Sequence, residues 1–314
     1  MSLDKNDLYV KLEKLETEQR NPDTFHIDLS DPREIVRLMN NEDRDVADCV
    51  GSRSEQISQV ISLAHKSLSE GGRLIYCGAG TSGRLGVLDA AECPPTFGTR
   101  PDQVVGLIAG GSRAMFAAQE GSEDLPENGV KDITDLEVSG KDTVCGLAAS
   151  GRTPYVLGCL TEARRRGAAT VMVCCVPSRQ VEIDPVPDIM VDIPVGPEVI
   201  MGSTRLKSAT AQKMVCNMIT TGAMIRLGKV YENVMVDLML TNQKLVERSR
   251  RIISMFTKLG YDESSRLLDQ AGGNVKVALV MGVAGVGREE AIKQLDAHQG
   301  FIRAVLNAFE KGNA

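Results

Sequence analysis

The chain has 314 residues, enough for one large domain or for a domain with an appendage. Its 42% hydrophobic and 25% charged residues are typical of a globular protein with a sizeable core. A formal net charge of −6 argues against nucleic acid or an anionic membrane as a partner. Aromatic residues make up only 4%, with no tryptophan, which argues against a stacking platform for bases.

Cysteine and histidine usage indicates neither a disulfide framework nor a metal site. None of the eight cysteines forms a C-x-x-C pair, and several lie in apolar runs, so we predict core residues in a reducing compartment. The three histidines have no metal-ligand spacing. The N-terminus is charged, and no stretch approaches the roughly 20 apolar residues of a membrane span. We therefore expect a cytoplasmic protein without a metal site.

In chain order, the pattern predicts an arm, an α/β domain and a helical C-terminal part. The arm has an amphipathic start at Leu8, Val10 and Leu12 and a turn signal at Asn21-Pro22-Asp23. Helices are expected over 32–50 and 54–69, and later over 203–227 and 234–256, because apolar residues recur at helical spacing. The predicted divisions are 1–53 (arm and helix), 54–225 (α/β domain), 226–256 (connecting helices) and 257–314 (small helical subdomain).

Five short apolar runs, separated by helical stretches, predict a parallel sheet with both faces covered. Ligands of such sheets bind at the carboxyl ends of the strands. The predicted strands are 73–77, 104–109, 143–148, 170–176 and 189–193.

A glycine-dense turn follows the first strand and opens a helix. It contains Gly78, Gly80, Thr81, Ser82 and Gly83. Glycines let the backbone approach a ligand, and free N–H groups at a helix start favour negative charge. This stretch therefore predicts a phosphate site with two hydroxyl donors.

A similar turn follows the third strand, where Ser150, Gly151 and Thr153 precede a helix that begins near Pro154. Two such loops at neighbouring strand ends could grip one phosphate from two sides. The alternative is that both are ordinary tight turns.

The pattern Gly78-x-Gly80-x-x-Gly83 also fits a dinucleotide-binding fingerprint. That fingerprint needs an acidic residue at the end of the second strand, to bind a ribose hydroxyl. The second strand here ends in Ile108-Ala109-Gly110-Gly111-Ser112, without an acid. We therefore expect no nucleotide cofactor.

Two glutamates are candidates for proton transfer. Glu92 precedes Pro94-Pro95, which we expect to end the helix. Glu123 follows the second strand, and we expect both glutamates to fall on the ligand side of the sheet. A carboxylate that is partly desolvated near a phosphosugar can pass protons near neutral pH. For either residue seen alone, the pattern favours a solvated surface glutamate, and it does not show that the two converge.

Charged residues near residue 200 are further binding candidates. Glu198 precedes a helix start that carries Arg205 and Lys207, whose cationic side chains could meet a phosphate or a carboxylate. We predict Glu198 and Lys207 as substrate-binding residues, with a solvated surface position as the alternative.

Long stretches of the chain resemble the N-acetylmuramic acid 6-phosphate etherase family. The resemblance covers nearly the whole chain. It is carried by residues 72–98, 106–111, 120–124, 148–156, 196–213, 228–238 and 295–303.

The resemblance implies a sugar isomerase (SIS) fold, a three-layer sandwich around a five-stranded parallel sheet with a small helical C-terminal subdomain. It also implies a homodimer, a phosphorylated amino sugar as substrate and no cofactor. The implied reaction cleaves the D-lactyl ether by elimination and water addition. Glu92 matches the general acid and Glu123 the second catalytic glutamate, the C2 base, while Ser82, Ser150 and Thr153 fall on the sugar-phosphate loops.

Two other functions fit the same fold. One is a non-catalytic phosphosugar sensor, as in the glucokinase regulatory protein lineage. The other is an aldose–ketose phosphosugar isomerase, because fold alone does not decide function.

Overall fold

The computed structural model describes residues 15–119, 121–181, 183–240 and 242–312. The predicted amphipathic start at Leu8, Val10 and Leu12 lies outside these residues. The chain divides into two compact units. The first comprises Met1–Ala91 and Asp102–Thr220, and the second comprises Glu92–Pro101 and Thr221–Ala314.

Two helices precede the sheet in the first unit, α1 (Pro32–Gly51) and α2 (Ser54–Ser69). The carboxylate of Asp31 accepts the N–H groups of Arg33 and Glu34 at 2.8 and 2.9 Å, and Pro32 fills the first helical position. Both predicted helices are confirmed to within one residue.

The first unit contains a parallel sheet of five strands in the order β2-β1-β3-β4-β5. Its centre is apolar, and β1 and β3 are buried along their whole length. The five predicted strands and their parallel arrangement are confirmed. The strands are β1 (Leu74–Gly78), β2 (Val104–Ile108), β3 (Thr143–Leu147), β4 (Ala169–Cys174) and β5 (Ile189–Asp192).

The helices that connect the first four strands are α3 (Gly80–Phe97), α4 (Pro126–Asp135) and α5 (Pro154–Arg165). The expectation that Pro94-Pro95 ends α3 is wrong, because the helix continues to Phe97. Pro94 and Pro95 lack a backbone N–H group, so they remove only two hydrogen-bond donors from the last turn of the helix. The last turn is closed by Gly98, whose N–H donates to the Pro94 carbonyl at 2.9 Å and whose φ is +62°.

A long helix, α6 (Lys207–Arg226), follows the sheet and starts four residues later than predicted. The chain then forms a short antiparallel hairpin of β6 (Val230–Tyr231) and β7 (Val234–Met235). The predicted helix from 234 is therefore wrong at its start, and α7 covers only Gln243–Thr257. The hairpin turn places Glu232 at φ +54°, a conformation that no helix residue adopts.

The second unit is completed by α8 (Tyr261–Gln270), α9 (Val275–Ala284), α10 (Arg288–Ala297) and α11 (Ile302–Gly312). Ile253 from α7 and Leu279 from α9 are fully buried in one apolar cluster. Residues 226–256, predicted as a connection, therefore share a core with the C-terminal helices. Two lysines bind one carboxylate beside this core: Lys229 Nζ and Lys276 Nζ lie 3.1 and 2.8 Å from Asp237 Oδ2.

Within the described ranges, none of the helices has the length and apolar character that crossing a membrane requires.

Candidate active site at the carboxyl edge of the sheet

The candidate site lies where two neighbouring strands end. Gly78, the last residue of β1, is in register with Leu147, the last residue of β3. The loops after these strands therefore leave the sheet side by side, as expected for ligand-binding loops of a parallel sheet.

The loop after β1 is held close to the strand. Gly83 N–H donates to the Ala79 carbonyl at 3.1 Å. A Cβ atom at Gly83 would lie 2.6 Å from the Gly78 oxygen, so only glycine fits this approach. Because α3 begins at Gly80, Thr81 and Ser82 lie in its first turn, where backbone N–H groups have no intrahelical acceptor.

The loop after β3 turns through a left-handed residue. Gly151 has φ +70°, and its N–H donates to the Ala148 carbonyl at 2.9 Å. Thr153 occupies the N-cap position of α5, but its side chain makes no capping hydrogen bond. The Thr153 hydroxyl is therefore not committed to the helix end.

Both loops line one cavity of about 400 Å³. The cavity is rich in hydroxyl groups and backbone amides, which suits a phosphorylated ligand of sugar size. Its lining includes Thr81 and Ser82 from the first loop, Ser150 and Thr153 from the second, and the acidic residues Glu18, Glu123 and Asp124.

A second, smaller cavity of about 190 Å³ shares Gly80 and Glu123 with the first. It brings the guanidinium of Arg84 towards the same region, and Arg84 Nε donates to the Met115 carbonyl at 3.2 Å. Arg152 lines the larger cavity. Cationic groups near the hydroxyl-rich loops favour an anionic ligand.

Glu198 and Lys207, two of the predicted substrate-binding residues, form hydrogen bonds and an ion pair within the protein. The fully buried Glu198 carboxylate accepts the N–H groups of Lys207 and Ser208 at 2.9 and 3.0 Å and the Ser208 hydroxyl at 2.7 Å. It thereby caps the first turn of α6. Lys207 Nζ lies 2.7 Å from Glu42 Oε2.

Neither Glu198 nor Lys207 is among the described residues that line the cavity. The polar atoms of both side chains bond within the protein, and their predicted substrate contact stays a prediction.

Of the two predicted catalytic residues, Glu123 lines both the larger and the smaller of the cavities described above. It lies in the 3₁₀ turn Ser122–Asp124, which follows the left-handed Gly121. Glu92 is exposed on α3 and belongs to the second unit. The pairing of Glu92 with Glu123 therefore stays a prediction.

Several residues of the cavity were not predicted as site residues, among them Glu18, Gly202 and Thr204. The last two fall within the stretch 196–213 that carries the family resemblance. Glu18 gave no signal, because only the fold brings the arm to this loop. Across the described ranges, no three His, Cys, Asp or Glu side chains are grouped so that they could hold a metal ion.

Comparison with known proteins identifies close relatives over the whole chain. An N-acetylmuramic acid 6-phosphate etherase of Salinibacter ruber is 49% identical over 308 residues, which cover 98% of this chain and 98% of that protein. A protein of the same name from Lactobacillus johnsonii is 51% identical over 300 residues, covering 96% and 100%.

Residues 56–164 match the model of the glucokinase regulatory protein N-terminal SIS domain. Among solved structures, a phosphoheptose isomerase from Neisseria gonorrhoeae is similar with a TM-score of 0.42 and 16% identity, over 61% of this chain and 97% of that chain.

The parallel sheet, its loops and the matched domain define an α/β protein of the SIS class with a helical C-terminal unit. Identity near one half over almost the full length of both proteins is more specific. The chain belongs to the N-acetylmuramic acid 6-phosphate etherase family.

Proposed function

We propose that this chain is an N-acetylmuramic acid 6-phosphate etherase, which releases D-lactate and N-acetylglucosamine 6-phosphate from its substrate. The observation that carries the proposal is the identity of 49% and 51% to two relatives of that name, over at least 96% of this chain. The hydroxyl-rich cavity supports it, because its size suits one phosphosugar.

The phosphate is proposed to bind between the two loops. Thr81 and Ser82 offer hydroxyls in the first turn of α3, where the helix dipole also favours an anion. Ser150 and Thr153 face the same cavity from the second loop. Gly80 lines the cavity beside these hydroxyls, where glycine lets a ligand approach the backbone. The N–H groups of Gly83 and Gly151 donate to backbone carbonyls, so these two glycines and Gly78 shape the loops in the proposal.

The ether bond is proposed to break by elimination, which makes the enzyme a carbon–oxygen lyase. In the open-chain sugar, the C2 proton is acidic because it is α to an aldehyde. Glu123 removes this proton, the C3–O bond breaks, and Glu92 protonates the departing lactyl oxygen. The product is D-lactate and an unsaturated aldehyde.

Water then adds to the unsaturated aldehyde. Glu92, now a carboxylate, takes a proton from water while the hydroxyl joins C3, and Glu123 returns a proton to C2. Each glutamate thus ends in its starting state, and the two together supply every proton transfer without a metal or a nucleotide. The position of Glu123 in the cavity supports its part, and the part of Glu92 rests on the family resemblance.

Incubation with N-acetylmuramic acid 6-phosphate tests the proposal, with D-lactate as the readout. We expect lactate release, and we expect one ¹⁸O atom at C3 of the sugar product when the reaction runs in H₂¹⁸O. Binding without lactate would favour a sensor, and ketose formation would favour an isomerase. Lactate release without ¹⁸O at C3 would refute the elimination mechanism.

Variants test the two glutamates. Glu92→Gln and Glu123→Gln should each lower kcat by about 10²-fold or more, the usual contribution of one general acid or base. Glu127→Gln is the matched control, since Glu127 is an exposed acid in the first turn of α4 and is not among the described residues of the cavities. If Glu92→Gln kept the activity of the wild type, the assignment of the general acid would fail.

Assembly as a homodimer in the cytoplasm is part of the proposal. Leu88 is 43% exposed and lies one helical turn before Glu92, so an apolar side chain accompanies the proposed acid on α3. The eight cysteines, all of them described residues, form no disulfide bonds, which suits a reducing compartment. Light scattering of the purified protein would test the dimer, and a monomeric mass at micromolar concentration would refute it.

A further inference from the structure

The arm around Glu18 is fastened to the loop before α6 by three hydrogen bonds. The Thr17 carbonyl accepts the Gly202 N–H at 3.2 Å. The Thr24 hydroxyl donates to the Val199 carbonyl at 2.8 Å, and Asn21 Nδ2 donates to the Pro197 carbonyl at 3.4 Å. Leu15 and Thr17 are at most 2% exposed. The arm is therefore a fixed wall of the first unit.

Glu18 is the acidic side chain that this wall contributes to the cavity. Its Oε2 atom would lie 3.1 Å from a Cβ atom at Gly202, another residue of the lining, so the carboxylate rests against the cavity wall. No described residue donates a hydrogen bond or forms an ion pair with this carboxylate. Ordering a long side chain here costs rotamer entropy, and no hydrogen bond or ion pair with a described residue offsets that cost.

The charge of Glu18 decides what kind of group it can meet. A carboxylate repels a phosphate, so Glu18 does not serve the phosphate end of a ligand that Ser82 and Ser150 hold. A carboxylate is instead a strong acceptor for hydroxyl and amide N–H donors. An amino sugar carries both kinds of donor beyond its phosphate.

We propose that Glu18 is a substrate-binding residue, whose carboxylate accepts a hydrogen bond from a hydroxyl or amide N–H group of the sugar while the two loops hold the phosphate. This inference rests on the proposed function for the identity of the sugar. It adds to the site a residue from the N-terminal arm.

Kinetics of lactate release test the inference. Glu18→Ala should raise KM for N-acetylmuramic acid 6-phosphate by about 10- to 100-fold, the usual effect of losing a hydrogen bond to a charged group. Glu18→Gln should have a smaller effect, because an amide oxygen still accepts. The inhibition constant of inorganic phosphate should stay within about twofold of the wild-type value, since phosphate binds away from Glu18.

Glu16→Gln is the matched control. Glu16 lies in the same 3₁₀ turn, but its carboxylate pairs with Arg179 at 3.6 Å and it is not among the described residues of the cavity. We expect its KM to match the wild type. Equal losses in Glu16→Gln and Glu18→Ala, or a parallel rise in the phosphate inhibition constant, would show a merely structural arm and overturn the inference. A KM for Glu18→Ala within twofold of the wild type would also overturn it.

Failure of the proposed function would look different. In that case the wild type releases no lactate, and calorimetry with N-acetylglucosamine 6-phosphate replaces the kinetics. Weaker binding of this phosphosugar by Glu18→Ala, with unchanged phosphate binding, would support Glu18 as a sugar contact. Equal binding by Glu18→Ala and the wild type would reject it. A second readout is thus available whatever reaction the protein catalyses.

Discussion

Gly83 is a position of the first unit, at the start of α3, that has no room for a side chain. A Cβ atom there would lie 2.6 Å from the Gly78 carbonyl oxygen and 2.7 Å from Ile108 Cγ1. Both distances are far below van der Waals contact, and the nearest atom belongs to the backbone of β1. Because a backbone oxygen cannot swing away as a flexible side chain can, Gly83→Ala must push α3 from the sheet.

The expected cost follows from this overpacking. One added methyl group in a well-packed region costs about 1–3 kcal/mol, and we expect the upper part of that range because the obstacle is backbone. For a unit of about 200 residues, a loss of about 3 kcal/mol lowers Tm by roughly 6–12 °C. The displacement also moves Thr81 and Ser82, so KM for the phosphosugar should rise.

Differential scanning calorimetry of Gly83→Ala, with Gly51→Ala as the control, measures the effect. Gly51 is the last residue of α1, is exposed, and would meet nothing within 4 Å of a Cβ atom. Alanine there should be neutral or stabilising by up to about 1 kcal/mol, because it favours the helix. A Gly83→Ala protein that melts within 2 °C of the wild type, with unchanged KM, would refute the packing argument.

Three further predictions concern the phosphate loops and two buried acids. Ser150→Ala should raise KM for the phosphosugar about 10-fold or more, since a hydrogen bond to a charged group is lost, and steady-state lactate release would measure it; an unchanged KM would remove Ser150 from the site. Burial opposes ionisation of Asp142, but hydrogen bonds from Arg73 and a backbone N–H lower its pKa below the usual range. The contribution of Asp142 to stability is therefore present above the unfolded pKa and is lost as pH falls through the folded pKa. In urea unfolding from pH 7 to 3, Asp142→Asn should lose less stability towards acid than the wild type. Burial raises the pKa of Asp89, so its contribution to stability is present at low pH and is lost as pH rises through that pKa. Asp89→Asn should remove this pH dependence of the free energy of unfolding, while its amide oxygen still accepts the hydrogen bond from the Thr220 hydroxyl. An identical pH dependence in the variant and the wild type would contradict the assignment.

Local pattern was sufficient to predict the sheet of the first unit. Each strand is a short apolar run between turn residues, and burial on both faces of a parallel sheet requires that composition. The same reasoning was misleading at the hairpin Val230–Met235, because four residues of strand carry too little periodicity to be distinguished from a helix start. It also overestimated Pro94 and Pro95, since a helix near its end can lose two donors and still close its last turn on Gly98.

The site was predictable in part for a related reason. Glycine and serine mark the loops after β1 and β3, and these loops line one cavity because the two strands are neighbours in register. Phosphate binding by the loops stays a prediction. Glu198 and Lys207 looked equally suitable, because a charged residue near a helix start can meet a ligand or cap the helix. Which of the two occurs depends on burial, and burial is a property of the packed chain.

The amino-acid sequence by itself determined the family, the parallel sheet and the position of the two glycine-containing loops, because these depend on residues that lie close together along the chain. Only the tertiary structure decided that Glu198 caps α6 and that Glu18 enters the cavity. Glu18 lines the cavity because the arm around it is hydrogen-bonded to residues 197–202. Hydrogen bonds between residues so far apart in the chain leave no periodic pattern in the sequence.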